Sequence, residues 1–147
     1  MYRRPKFIIK HESSFPISFH DTDAMGVIWH GNYIKFFELA REALFEALNF
    51  DYLRMKDLDL MFPITECSCK YRKMLSVTDK HCHIVTMLTQ TDGKIVINYE
   101  VYAKGQKTLC AYGQTQQVAV NSKTTELYFE MPQELLKEIE EYKNKNE

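Results

Sequence analysis

Apolar positions between Tyr33 and Leu48 recur with a helical period. At about 100° per residue, Tyr33, Phe36, Phe37, Leu39, Ala40, Ala43, Leu44, Ala47 and Leu48 share one wide arc, which Ile34 and Phe45 extend. The polar remainder, Lys35, Glu38, Glu42 and Glu46, is a narrow stripe. A surface helix normally exposes more, so the pattern predicts a helix from Gly31 or Asn32 to Leu48, enclosed by other structure on most sides. Arg41 falls inside the apolar arc, where a guanidinium must find an acceptor or snorkel outward. Glu38, three residues earlier, is its expected partner.

Upstream, Phe15, Ile17 and Phe19 alternate with Pro16 and Ser18, which predicts a first strand over 15–19 leading into an acidic turn. Downstream, a short helical piece over Tyr52 to Leu60 ends near Pro63, and the period then becomes alternating. Four further strands are expected near 62–72, 80–90, 95–104 and 108–120. The clearest sets Ile95, Ile97, Tyr99, Val101 and Ala103 against Val96, Asn98, Glu100, Tyr102 and Lys104. Asp92-Gly93 before it and Lys104-Gly105-Gln106-Lys107 after it are turn signals, so the last three strands should form an antiparallel meander. Pro132 followed by acid-rich, periodically apolar sequence predicts a terminal helix over about 132–143, with Lys143 to Glu147 as a frayed tail. No repeat or linker interrupts the chain, and one domain is expected over 1–147, with its core at about 13–137.

Composition narrows the partners. A chain of 147 residues, 45% hydrophobic and 13% aromatic, suits one domain with a real core. Nineteen Lys plus Arg against twenty Asp plus Glu give a formal charge of -1, which removes any global electrostatic basis for nucleic acid or a membrane surface as partner. The amino-terminal apolar run is too short for a signal peptide and no stretch reaches bilayer length, so a cytoplasmic location without membrane insertion is expected. Cys67, Cys69, Cys82 and Cys110 lack paired CxxC spacing and lie in strand-like segments, which reads as reduced core thiols. His81-Cys82-His83 and Cys67-Ser68-Cys69 each put two metal-binding side chains on one strand face, yet no further ligand stands at a telling spacing. No metal and no cofactor are expected.

The chemistry concentrates in Asp21-Thr22-Asp23-Ala24-Met25-Gly26-Val27-Ile28-Trp29-His30-Gly31-Asn32-Tyr33, where carboxylates precede a long apolar helix. The first amides of a helix lack intrahelical acceptors. An attacking group and the donors that polarise its target can therefore share one turn. An Asx turn or N-cap is the ordinary use of such an aspartate, but Asp23 is far from the helix start for a simple cap. Asp21 is accordingly given the capping or loop-bracing role and Asp23 the chemistry.

This segment, with Phe36-Phe37-Glu38-Leu39-Ala40-Arg41 after it and Phe62-Pro63-Ile64-Thr65-Glu66-Cys67-Ser68-Cys69-Lys70-Tyr71-Arg72-Lys73 further on, closely resembles the 4-hydroxybenzoyl-CoA thioesterase class of hotdog acyl-CoA thioesterases. It looks most like the branch that includes the Tol-Pal-associated acyl-CoA thioesterases. The resemblance implies an α+β hotdog fold, with a five-stranded antiparallel sheet wrapped around one long helix. It also implies hydrolysis of an acyl thioester to a free acid and coenzyme A, which is substrate rather than cofactor.

Carried onto this chain, the catalytic carboxylate falls on Asp23, as nucleophile or as general base toward water, and the amide that donates to the thioester carbonyl falls at about His30. The His30 ring has three open roles: donor to the carbonyl, orienter of water, or support for Asp23. Trp29 and Tyr33 line the acyl pocket or simply pack, and Asn32 braces the loop or contacts substrate. Lys70, Arg72 and Lys73 form the densest cluster for the coenzyme A phosphates, with Lys104 and Lys107 as a second choice. Homodimers, paired again into tetramers, are implied, with acyl-CoA or an acyl-carrier protein as the thioester donor. A non-catalytic module that binds acyl-CoA or acyl-carrier protein is the alternative.

Overall fold

The computed structural model describes residues 1–146. In chain order its elements are β1 (Ile9–Pro16), α1 (Asn32–Ala47), α2 (Tyr52–Asp57), β2 (Leu60–Met61), β3 (Ile64–Tyr71), β4 (His81–Gln90), β5 (Ile95–Ala103), β6 (Leu109–Gln117), β7 (Val120–Asn121) and α3 (Gln133–Lys145). The five longer strands form one sheet in the order β1-β4-β5-β6-β3, with every neighbouring pair antiparallel. Strands β4, β5 and β6 are the expected meander. Strands β2 and β7 form a separate two-stranded ladder that splits the predicted 62–72 segment from its approach and ends the predicted 108–120 strand at Gln117.

Helix α1 lies against one face of the sheet and buries Tyr33, Phe36, Phe37, Ala40, Leu44 and Phe45. Phe37 stacks on Tyr99 of β5, with ring centroids 4.3 Å apart and planes 9° from parallel. Gly113 of β6 permits that approach, because a Cβ there would stand 2.3 Å from Ser68 O and 2.6 Å from Phe37 Cε2. Burying one such ring stabilises the fold by about 1.5–3 kcal/mol; Phe37→Ala would remove it and leave a cavity, at a cost of about 3–5 kcal/mol. Lys35, Glu38, Glu42 and Glu46 are exposed as expected, but so are Ile34 and Ala47.

Several expectations are corrected. The first strand runs over Ile9–Pro16, not 15–19: Ile9 pairs with Leu88 and Pro16 with His81, while Phe19 begins a 3-10 turn, Phe19–Asp21, and is exposed. Arg41 does not pair with Glu38; its Nη1 donates to the Tyr99 hydroxyl at 3.3 Å, an acceptor supplied by the sheet rather than the helix. Cys67 is exposed and only Cys82 and Cys110 are buried, because β3 is an edge strand with little covering it. The terminal helix continues to Lys145. Its Leu135 and Ile139 are buried, and Tyr142 Oη donates to Lys10 O at 2.8 Å, so docking on β1 holds the turn expected to fray. Glu147 lies outside the described residues.

Residues before β1 form an arm across the outer sheet face. Glu100 of β5 is 1% exposed and accepts from Tyr2 Oη at 2.6 Å, Arg4 Nε at 2.9 Å and Tyr102 Oη at 2.9 Å. A buried carboxylate is tolerable only with such donors. Among the described residues, no helix is long and apolar enough to cross a membrane.

Candidate active site

The loop between β1 and α1 is stitched to the segment after β3. Ile28 N donates to Leu75 O at 2.8 Å and Val77 N to Gly26 O at 3.0 Å. Its first carboxylate, Asp21, is 3% exposed. Asp21 Oδ2 accepts from Ser18 N at 2.9 Å and Ser18 Oγ at 3.3 Å, and Oδ1 from Lys35 Nζ at 2.5 Å. Burial alone would raise this carboxyl; the Lys35 ammonium and the Ser18 donors outweigh it and hold the group below the usual carboxylate range. Asp21 thus braces the loop, as expected.

Asp23 is half-buried. Its Oδ1 accepts from Met25 N at 2.8 Å and Val27 N at 3.3 Å, so it does form the Asx turn that is the ordinary use of aspartate in a loop. Both bonds fall on one oxygen; Oδ2 has no donor among the described residues. Beside it lies a cavity of about 290 Å³ bounded by Asp23, Trp29, His30 and Tyr33 from the loop and helix, and by Tyr71, Arg72, Lys73 and Met74 from the end of β3.

The first two amides of the helix are taken. Asn32 N donates to Trp29 O at 2.8 Å and Tyr33 N to His30 O at 3.3 Å, so the turn before α1 occupies its first two donors. One step earlier, the His30 and Gly31 N–H groups have no acceptor among the described residues. The Trp29 ring lies across Gly31: a Cβ at Gly31 would stand 2.2 Å from Trp29 Cζ3. Only glycine lets the indole approach that peptide so closely.

The other sequence-predicted residues divide. Trp29 and Tyr33 line the cavity; Trp29 is 53% exposed and Tyr33 is buried. Asn32 does not line it. Its Nδ2 donates to Asp21 O at 2.8 Å, which makes it a loop brace. Arg72 and Lys73 border the cavity, whereas Lys70 does not, because strand alternation turns it away from Tyr71. The Arg72 guanidinium also lies 6.0 Å from the Tyr112 ring centroid. Tyr71 closes the cavity, yet its sequence gives no sign of this, because an aromatic on a predicted strand carries no signal beyond packing. His83 is engaged by Ser14 Oγ at 2.9 Å and Glu12 at 2.8 Å. Among the described residues no group of three or more His, Cys, Asp or Glu side chains is placed to hold a metal.

A carboxylate with one oxygen fixed and the other uncommitted, on a cavity edged by His30 with its unpartnered amide, can attack an electrophilic carbonyl or take a proton from water while such an amide binds the developing oxyanion. The family model described as thioesterase-like superfamily matches residues 17–139. A curated protein of Aquifex aeolicus is 35% identical over 63 residues, but the match spans 43% of this chain and only about half, 49%, of that relative. The 1,4-dihydroxy-2-naphthoyl-CoA hydrolase of Rippkaea orientalis is 29% identical over 110 residues, 74% of this chain and 80% of the relative. Among solved structures, the DHNA-CoA thioesterase from Staphylococcus aureus superposes with a TM-score of 0.77 at 24% identity, over 94% of this chain and 95% of that one. That likeness establishes a shared fold.

Proposed function

This chain belongs to the thioesterase-like superfamily, and we propose that it hydrolyses acyl-CoA thioesters with Asp23 as the catalytic carboxylate and the His30 and Gly31 amides as oxyanion donors. The observation that carries the reading is the meeting of three things at one cavity: the uncommitted Asp23 Oδ2, His30 with its amide lacking an acceptor among the described residues, and the Arg72 and Lys73 cations. The Rippkaea relative's name, an acyl-CoA hydrolase, supports it.

Two balanced routes use these groups. In one, Asp23 Oδ2 adds to the thioester carbon, the coenzyme A thiolate leaves, and water cleaves the resulting anhydride. In the other, Asp23 takes a proton from water as the oxygen adds, and the tetrahedral intermediate expels the thiolate, which recovers that proton. In both, charge appears on the oxygen facing the amides. Arg72 and Lys73 suit the coenzyme A phosphates, and an acyl-carrier protein, whose prosthetic arm bears the same thiol, is a second possible donor. Within the superfamily, the Asp21 to Tyr33 motif favours the 4-hydroxybenzoyl-CoA class and its Tol-Pal-associated branch.

A homodimer, paired into a homotetramer, is part of the proposal. Strand β3 is the sheet edge next to the cavity and is exposed along nearly its whole length, Ile64 included; unpaired edges of this kind recruit another strand. Thiol release from a panel of acyl-CoAs tests the function. Turnover of any member supports hydrolysis; binding across the panel without thiol release would instead make the protein an acyl-CoA binding module.

A further inference from the structure

Tyr71, the last residue of β3, is a side chain at this cavity that the proposed hydrolysis does not use. It is 50% exposed, and its hydroxyl donates to the His30 carbonyl oxygen at 3.1 Å. That oxygen and the Gly31 N–H are the two ends of one peptide group. The other donor to the same oxygen, Tyr33 N, is longer at 3.3 Å. The phenol ring is set edge-on to Tyr33, with centroids 5.1 Å apart at 70°, and to His30, with centroids 6.1 Å apart at 73°. On another side the Trp29 ring rests against Gly31.

The hydroxyl is not needed to anchor the strand end. Arg72 N and Lys73 N already donate to Cys110 O at 2.8 and 3.0 Å. Its bond acts on the peptide instead. A hydrogen bond accepted by a peptide carbonyl polarises the group and strengthens its N–H as a donor, and it fixes the plane in which that N–H points.

We propose that Tyr71 is a positioning residue for thioester cleavage: by donating to the His30 carbonyl it orients and polarises the His30–Gly31 peptide, whose N–H receives the oxyanion. The inference rests on the hydrolase reading. Burial, with the Cys69 thiol beside it, pushes the Tyr71 phenol up to about 12, so it remains a protonated donor throughout the neutral range.

The test compares wild type and Tyr71→Phe on the best acyl-CoA of the panel. It also measures their affinities for an S-alkyl-CoA thioether, which has no carbonyl, and for a trifluoromethyl ketone analogue that presents an oxyanion. The expected result is a kcat lowered by about 10-fold at unchanged KM, with the ketone weakened by a similar factor and the thioether unaffected. Unchanged kcat, or equal weakening of both analogues, would overturn the inference while leaving hydrolysis intact; no turnover by wild type would remove both. Should Tyr71→Phe not fold, Tyr71→3-fluorotyrosine decides, since it keeps the ring and makes the hydroxyl a stronger donor. A raised kcat at constant KM supports positioning, and an unchanged kcat contradicts it.

Discussion

Lys35 Nζ stands 2.5 Å from Asp21 Oδ1, so the first turns of α1 hold the carboxylate that braces the loop carrying Asp23. The two acids of the motif differ in environment: Asp21 is buried and engaged at both oxygens, whereas Asp23 Oδ2 has no donor among the described residues.

Because burial alone would raise the Asp21 carboxyl and its donors instead hold it low, the bracing adds stability that is present above the unfolded carboxyl pKa and lost as pH falls through the lower folded value. Asp21→Asn is expected to cost about 1.5–3 kcal/mol at pH 7, the scale of hydrogen bonds to a charged group. Urea titrations should show that difference shrinking in strongly acidic solution, where wild type loses the same charge. A difference independent of pH would assign the effect to shape rather than charge.

Glu100 behaves in the same direction: burial pushes its carboxyl up, and Arg4, Tyr2 and Tyr102 more than reverse the shift. Arg4→Ala leaves that buried carboxylate with two phenol donors and should destabilise the protein by about 1–3 kcal/mol. Limited trypsin digestion at neutral pH should then release the arm by cutting after Arg3 sooner than in wild type. Equal cleavage would show that the arm is held by other contacts.

Gly31→Ala should lower kcat by about 10-fold or more with little change in melting temperature, because the added methyl displaces the indole and the peptide beneath it. Trp29 is the chain's sole tryptophan, so its emission reports this directly: the Gly31→Ala spectrum should shift, and acyl-CoA should alter wild-type emission on binding. A variant with native emission and native kcat would show that the close approach is incidental.

Arg72→Ala and Lys73→Ala should raise KM for acyl-CoA, an effect that shrinks at high salt, while leaving KM for an acyl-pantetheine, which lacks the nucleotide phosphates, unchanged. Lys70→Ala should change neither. An effect of Lys70 equal to that of Arg72 would mean that coenzyme A crosses the opposite face of β3.

The elements that the chain announces are those whose signal is local. The 3.6-residue period of α1, the strict alternation of β5 and the turn residues between β4, β5 and β6 each depend on neighbours a few positions away. What the sequence conceals is long-range. The partner of Arg41 is Tyr99 on the sheet, not the acid one helical turn away, and Glu100 is satisfied by residues 96 and 98 positions upstream. Cys67 reads as core because its neighbours alternate, yet the place of β3 at the sheet edge leaves it exposed. The start of the first strand at Ile9 is hidden because Phe19 continues an apolar alternation that the Phe19–Asp21 turn breaks.

The most direct measurement is single-turnover thiol release by Asp23→Asn, with Trp29 emission confirming that acyl-CoA is bound. Catalysis by Asp23 predicts a rate lowered by at least ~100-fold, with affinity and melting temperature close to those of wild type. An Asn variant that turns over at the wild-type rate would contradict it, leaving the Asx turn as the whole purpose of that carboxylate.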